Sequence, residues 1–345
     1  MEELIHWFNV NNRDLPWRYT RDPYLIWISE VILQQTRVDQ GIGYYHRFIS
    51  RFPTIKELAD ADIDEILMLW QGLGYYTRAR NLHETAKIVQ SKYKGKFPDE
   101  VSDLKGLKGI GDYTAAAIAS LAFNKPEAMV DGNVYRVLSR YFASEIPIDS
   151  TSGKKHFKEL AQAVLNTKNP AAHNEALMEL GATVCLPANP ICTHCPLQLK
   201  CMSLAQKNTF SYPVKSRKLK QRVRYLYFVV MHYKENTYIE KRQNTDIWKG
   251  LYQFPLVESE AQVQPEEFSD FLQKTIFKTF SAYKIRVISS EFKHILSHQV
   301  LQGCFVHVDL EEEWSKSGSI FVQPADLAKF AMPRLITRYL EQAMD

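Results

Sequence analysis

The chain is 345 residues long, 45% hydrophobic and 24% charged, with a net charge of +4. That is ordinary for a globular protein with room for two domains, and no run approaches the roughly 18 apolar residues of a membrane span. The opening residues carry Glu2, Glu3 and His6 and no basic leader, so an export signal is not expected and the cell interior is the expected location.

From Met1 to about Ala205 the pattern is helical. Ile63–Trp70, Thr114–Ala122 and Phe157–Leu165 place apolar residues three and four apart. Breaks with turn chemistry at Arg51-Phe52-Pro53-Thr54, Gly95-Lys96-Phe97-Pro98 and Gly106 to Gly111 predict an all-α bundle over 1–205 with short connections. Lys207 to Arg224 then holds seven basic residues and no acid. On the residues alone, 206–222 reads as a solvated linker, and such a run permits phosphate contact without requiring it. Val223 to His232 and Tyr238 to Lys241 are strand-like, Pro265 to Phe280 helical, and Ile285–Phe292 and Phe305–Leu310 strand-like again. A smaller α+β domain over 223–345 is predicted, with no internal repeat.

Five cysteines, an odd number, argue against a disulfide framework. Four follow the spacing Cys185-x6-Cys192-x2-Cys195-x5-Cys201, while Cys304 stands far away and reads as a small buried hydrophobe. Four thiolates so close suit structural zinc or an iron–sulfur cluster. Zinc usually takes two close pairs, and a single C-x-x-C with unequal spacers tilts the reading toward the cluster.

Leu104-Lys105-Gly106-Leu107-Lys108-Gly109-Ile110-Gly111 joins two helical patterns. Glycines at Gly109 and Gly111 allow a tight turn, and the N–H groups opening the next helix could meet a phosphate. Without a ligand it is simply a helix-packing turn. Glu30 sits in Y-L-I-W-I-S-E-V-I-L-Q-Q-T beside Ile26, Trp27, Leu33 and Gln34, surroundings that would desolvate it and raise its pKa. Asp131 precedes Gly132-Asn133-Val134 as an N-cap, where donors and the helix dipole favour its ion. A lone surface glutamate and a plain capping aspartate are the ordinary readings. Together they offer the acid and the anion that glycosidic cleavage needs.

These motifs, in this order, resemble the helix-hairpin-helix DNA glycosylases of the endonuclease III and adenine DNA glycosylase family, over nearly the whole chain. The resemblance implies a [4Fe–4S] cluster on Cys185, Cys192, Cys195 and Cys201, in a loop (185–201) that engages DNA and here carries His194 and Lys200. It implies that Glu30 protonates the leaving adenine at N7, that Asp131 stabilises the sugar cation and that Asn133 assists. Trp17, Arg18 and Glu175 would line the adenine pocket. Gln71, Leu73 and Tyr75 of Q-G-L-G-Y-Y would form the wedge, with Leu73 and Tyr75 entering the duplex, and Gln34 and Thr36 would face DNA.

The resemblance also separates two branches. Lyase relatives place a nucleophilic lysine where this chain has Tyr113, so monofunctional hydrolysis is expected, with the Tyr113 phenol hydrogen-bonding near Asp131. Lys105 and Lys108 would touch phosphates. The added domain is similar to a MutT-like (Nudix-fold) domain, opening at Arg242 to Pro255 but without the R-E-x-x-E-E metal carboxylates, so it should bind and not hydrolyse. Its recognition loop, usually F-S-H, reads Leu296-Ser297-His298, with Ser297 and His298 matching and Leu296 departing from the aromatic; His294 and His307 read as ordinary histidines. The expected fold is multidomain: an all-α helix-hairpin-helix glycosylase domain with its iron–sulfur loop, then the α+β domain. The expected protein is a monomeric cytoplasmic enzyme, bacterial and associated with the nucleoid, removing adenine opposite 8-oxoguanine or guanine in double-stranded DNA. The rival readings are a pyrimidine-lesion glycosylase/lyase of the endonuclease III type and a non-catalytic iron–sulfur DNA-binding protein.

Overall fold

The computed structural model describes residues 2–216, 221–243, 246–316 and 318–343. The chain forms two compact units, 1–60 with 81–218 and 61–80 with 219–345. The expected linker 206–222 therefore lies partly outside the described residues, at 217–220. Among the described residues no helix is long and apolar enough to cross a membrane.

The first unit is helical. Its helix Pro23–Leu33 is apolar almost all round and buried from Tyr24 through Ile32 except Leu25, which is the pattern of a central helix. It packs on Asp112–Phe123, whose run Ala115-Ala116-Ala117 lets the backbones approach closely. A second core joins Leu4 and Phe8 to Val134, Leu138, Phe157, Leu177 and Leu180, from helices Glu2–Asn11, Gly132–Tyr141, Thr151–Val164 and Pro170–Thr183.

The second unit carries helix Ile63–Leu69, helix Arg334–Ala343 and a mixed sheet. Its strands are β1 Arg222–Tyr233, β2 Asn236–Lys241, β3 Tyr252–Gln253, β4 Leu256–Ser259, β5 Tyr283–Ile288, β6 Phe292–Ile295, β7 Gln299–Leu310 and β8 Ser319–Val322. The order is β3-β2-β1-β7-β5, with β4 on β1, β6 on β7 and β8 on β2. β1 and β7 run parallel, with Phe228 opposite Phe305 and His232 opposite Asp309. Strand alternation sends Leu226, Phe228 and Val230 into one core and Tyr227, Val229 and Met231 into another, so β1 is buried on both faces.

Several expected elements have different bounds. The predicted helix 265–280 is a 3-10 turn at Pro265–Glu267 and a helix at Phe268–Thr275. It stops because Phe277 turns inward, fully buried, and stacks on Tyr283 at 4.2 Å. The predicted strand 285–292 is two strands: Ser289 Oγ accepts from the Phe305 N–H at 2.9 Å and so competes with the ladder. Cys304 is half-buried against one core and donates to the Ser289 carbonyl at 3.3 Å.

Candidate active site

The Asp131 side chain caps helix Gly132–Tyr141 as its position predicts. One oxygen accepts from the Val134 N–H and the other from Asn133 Nδ2, each at 2.8 Å. Both lone-pair faces therefore meet donors, an arrangement for a carboxylate acting only as acceptor. Burial nonetheless outweighs those bonds and raises Asp131 above the ordinary aspartate range. The expectation that capping alone would hold it low is corrected: the residue is far more desolvated than a surface cap.

Glu30 is 7% exposed on Pro23–Leu33. Burial pushes its carboxyl up to about 7, with the nearby Tyr113 phenol opposing and the charges of Asp131 and Glu175 adding. The Tyr113 phenol donates to Met178 Sδ at 3.3 Å and not to Asp131 as expected, and it lies near enough to Glu30 for each to shift the other. Tyr113 is on the first turn of Asp112–Phe123, which is why it reaches the Pro23–Leu33 helix packed beside it.

One cleft of about 800 Å³ is lined by Trp17, Arg18, Glu30, Gln34, Thr36, Gly109, Gly111, Tyr113, Asp131 and Asn133. Trp17, Arg18 and Glu30 also line a smaller pocket with Glu175. Trp17 is steadied edge-on by Tyr45 at 5.4 Å, and Gln34 Nε2 donates to Thr114 Oγ1 at 3.4 Å. Arg18 bridges Glu175 at 3.3 Å and Glu179 at 2.8 Å. Glu179 is also gripped by both the Nε and an Nη of Arg13 at 2.8 Å. Burial pulls Glu179 up, but these bonds pull harder and hold it at about 2, whereas burial leaves Glu175 raised. Arg13 and Glu179 escaped the sequence reading, because nothing local ties two residues 166 positions apart.

The two hairpin glycines do different work. Gly109 has φ +78 and a Cβ there would lie 2.8 Å from Asn81 Cβ, so no other residue fits without strain. Gly111 has φ −88 and open space where a Cβ would stand, so nothing within the fold requires a glycine there. Lys105 pairs with Asp112 at 2.5 Å and Lys108 pairs with Glu84, so the expected phosphate cations are already partnered. Arg224 likewise leaves the basic run: it pairs with Asp246 at 2.5 Å and Glu258 at 2.7 Å.

The other predicted residues stand outside the cleft. Gln71, Leu73, Tyr75, Ser297 and His298 are all in the second unit. Leu73 is buried and Tyr75 exposed, in a turn where Gly72, Gly74 and Tyr75 all have positive φ. Gln71 Oε1 accepts from the Met332 N–H at 3.2 Å. Ser297 and His298 are exposed, while Leu296 packs partly into a core and is not a free wedge.

Cys185, Cys192, Cys195 and Cys201 are unpaired and line one small pocket with Arg140, Val184 and Pro190. Among the described residues no three His, Cys, Asp or Glu side chains are grouped to hold one metal ion. Four thiols around one pocket suit structural zinc or an iron–sulfur cluster. Arg140, 2% exposed, holds this loop through the carbonyls of Leu186 at 2.7 Å and Pro187 at 2.9 Å and lies 3.3 Å from Cys185 Sγ. One turn earlier Arg136 donates to the Cys185 and Gly181 carbonyls at 2.7 Å and to Asn133 Oδ1 at 2.8 Å. Both arginines were missed; their only signal is the i, i+4 spacing in Arg136-Val137-Leu138-Ser139-Arg140.

Residues 28–166 match the family described as HhH-GPD superfamily base excision DNA repair protein, and 226–342 match the NUDIX domain. An adenine DNA glycosylase of Buchnera aphidicola subsp. Baizongia pistaciae is 39% identical over 87% of this chain and 83% of its own. Another, from Buchnera aphidicola subsp. Schizaphis graminum, is 36% identical over 98% and 96%. Among solved structures, a thermostable thymine-DNA glycosylase superposes with TM-score 0.56 and 32% identity over 59% of this chain and 94% of that one. With a helical cleft holding two buried carboxyls followed by a Nudix-fold unit, and relatives matched over most of their length, the chain belongs to the adenine DNA glycosylase family of base-excision repair enzymes.

Proposed function

We propose that this enzyme hydrolyses the N-glycosidic bond of adenine mispaired with 8-oxoguanine or guanine in duplex DNA, without a lyase step. The observation carrying this is Glu30: a buried carboxyl held at about 7 in the same cleft as Asp131. It can carry a proton near neutral pH. A flipped adenine accepts that proton at N7, the bond to the sugar breaks, and neutral adenine leaves. Asp131, its oxygens fixed by Val134 and Asn133, faces the positive charge that develops on the sugar. Water then adds to the sugar carbon and its proton returns to the Glu30 carboxylate. Trp17, Arg18 and Glu175 flank the extruded base, and Ser297 with His298 reads the opposite base. The four cysteines would hold a [4Fe–4S] cluster, a structural element near DNA that takes no part in these steps.

A pyrimidine-lesion reading draws support from the likeness to a thymine-DNA glycosylase. Tyr113 weighs against its lyase form, since a phenol cannot form an imine. The test is single-turnover base release from duplexes with adenine opposite 8-oxoguanine, guanine or thymine, with borohydride present. Adenine release without a trapped adduct is expected. Release of no adenine from any duplex would overturn the proposal.

A further inference from the structure

Residues 124–130 lead from helix Asp112–Phe123 to Asp131 in neither helix nor strand, the Asn124 and Lys125 N–H groups closing that helix on the Ser120 and Ala119 carbonyls at 3.0 Å. From Pro126 to Met129, apart from the Glu127 N–H, which donates to the Lys125 carbonyl at 2.8 Å, the backbone is held by two side-chain amides. Asn174 Oδ1 accepts from the Met129 N–H at 3.0 Å and its Nδ2 donates to the Glu127 carbonyl at 2.8 Å. Gln162 Oε1 accepts from the Ala128 N–H at 3.0 Å and its Nε2 donates to the Pro126 carbonyl at 2.8 Å. Alternate residues of an extended chain point their backbone groups to opposite sides. Each amide therefore takes one side, as a neighbouring strand would.

The inner side is the stronger. Asn174 is 2% exposed and its second Nδ2 hydrogen donates to Ser120 Oγ at 2.8 Å, so three of its four hydrogen-bonding capacities are used in the core. Ser120 is on the helix that bears Tyr113, and Asn174 precedes Glu175 on Pro170–Thr183. One buried amide thus ties together the supports of Tyr113, Asp131 and Glu175. Gln162 is exposed and competes with water, so its side is weaker.

We propose that Asn174, with Gln162 as an outer rail, is a positioning residue that sets the place and direction of the Asp131 carboxylate by acting as a surrogate strand for residues 126–129. This rests on the function proposed above. If the clamp is released, Asp131 drifts from the Val134 and Asn133 donors that favour its ion, so its proton is lost only at higher pH.

The experiment compares the wild-type enzyme, Asn174→Ala and Gln162→Ala in single-turnover adenine release between about pH 5 and 9. Affinity for the abasic product duplex and amide hydrogen exchange over 126–131 are measured beside it. Asn174→Ala is expected to slow release about 10- to 100-fold, keep product affinity within about twofold, shift the acid limb to higher pH and lose protection at Ala128 and Met129. Gln162→Ala should shift each readout the same way by less, and it serves alone if Asn174→Ala fails to fold. A rate that falls only with the active fraction, with the acid limb unmoved, overturns the proposal, as does unchanged protection in both variants. An inactive wild-type enzyme would instead sink the functional reading, leaving exchange to judge the clamp.

Discussion

The Tyr75 phenol and the Ser297 hydroxyl share a hydrogen bond of 2.6 Å, although 222 positions separate them. Both belong to the same compact unit, because 61–80 clusters with the C-terminal residues. Asp64 reinforces that grouping by accepting from Lys241 at 2.5 Å and from the Tyr252 phenol at 3.1 Å. The turn at Gln71 to Tyr76 and the loop at Leu296 to His298 therefore belong to one body. If they act as one on DNA, Tyr75→Phe and Ser297→Ala will each reduce the preference for adenine opposite 8-oxoguanine over guanine. In a double-mutant cycle the two losses should fall short of additive by about 0.5 kcal/mol or more. Full additivity in single-turnover rates would argue that the contact has no role on DNA.

Glu30→Gln removes the proton donor, and base release should fall by about 10²- to 10⁴-fold. Its effect on stability has the opposite sign. A carboxyl raised to about 7 in the folded state contributes fully below its unfolded pKa, and that contribution is lost as pH rises through 7. The glutamine variant should thus be more stable than the parent at pH 8, by on the order of 3 kcal/mol, the advantage fading below about pH 4.5. Denaturant melts at the two pH values check it; a glutamine variant weaker at pH 8 would contradict the burial argument.

The nearby Tyr113 phenol holds the Glu30 pKa down against its burial. Tyr113→Phe should therefore raise the Glu30 pKa and move the alkaline limb of the rate profile upward. Should the limb stay in place or move down, Tyr113 does not address Glu30.

Gly181 has little room for a side chain: a Cβ would stand 2.6 Å from Asn133 Cβ and 3.1 Å from Asn133 backbone. Gly181→Ala should push Asn133 away from Asp131, with about 1–3 kcal/mol of stability lost and slower base release. Gly111→Ala makes the contrast. With φ −88 and open space it should leave the melting temperature unchanged and weaken binding to duplex DNA. Equal stability losses in both variants would show that the hairpin glycine serves packing alone.

Arg140→Ala would strip the cysteine loop of its bonds to Leu186 and Pro187 and leave the buried Thr209 and Tyr212 carbonyls without the Arg140 Nε donor. A loss of at least about 3 kcal/mol is expected, together with reduced iron per chain by elemental analysis. Full iron content in the variant would show that the four thiols organise themselves.

The local features were legible in the sequence. Helical periodicity, the glycine hairpin, the cysteine spacing and the N-cap at Asp131 depend on residues within a few positions of one another, which the chain order displays directly. The position of Glu30 on an apolar helix even foretold its raised pKa. What the order could not show is anything set by non-local packing. The desolvation that raises Asp131 despite its cap depends on which helices close over it. So do the nearness of Tyr113 to Glu30, the pairing of Glu179 with Arg13 and Arg18, the hold of Arg136 and Arg140 on the cysteine loop, and the membership of 61–80 in the second unit. Backbone preferences act at short range along the chain, whereas burial and charge pairing act at short range in space, and only the tertiary structure makes those two distances coincide.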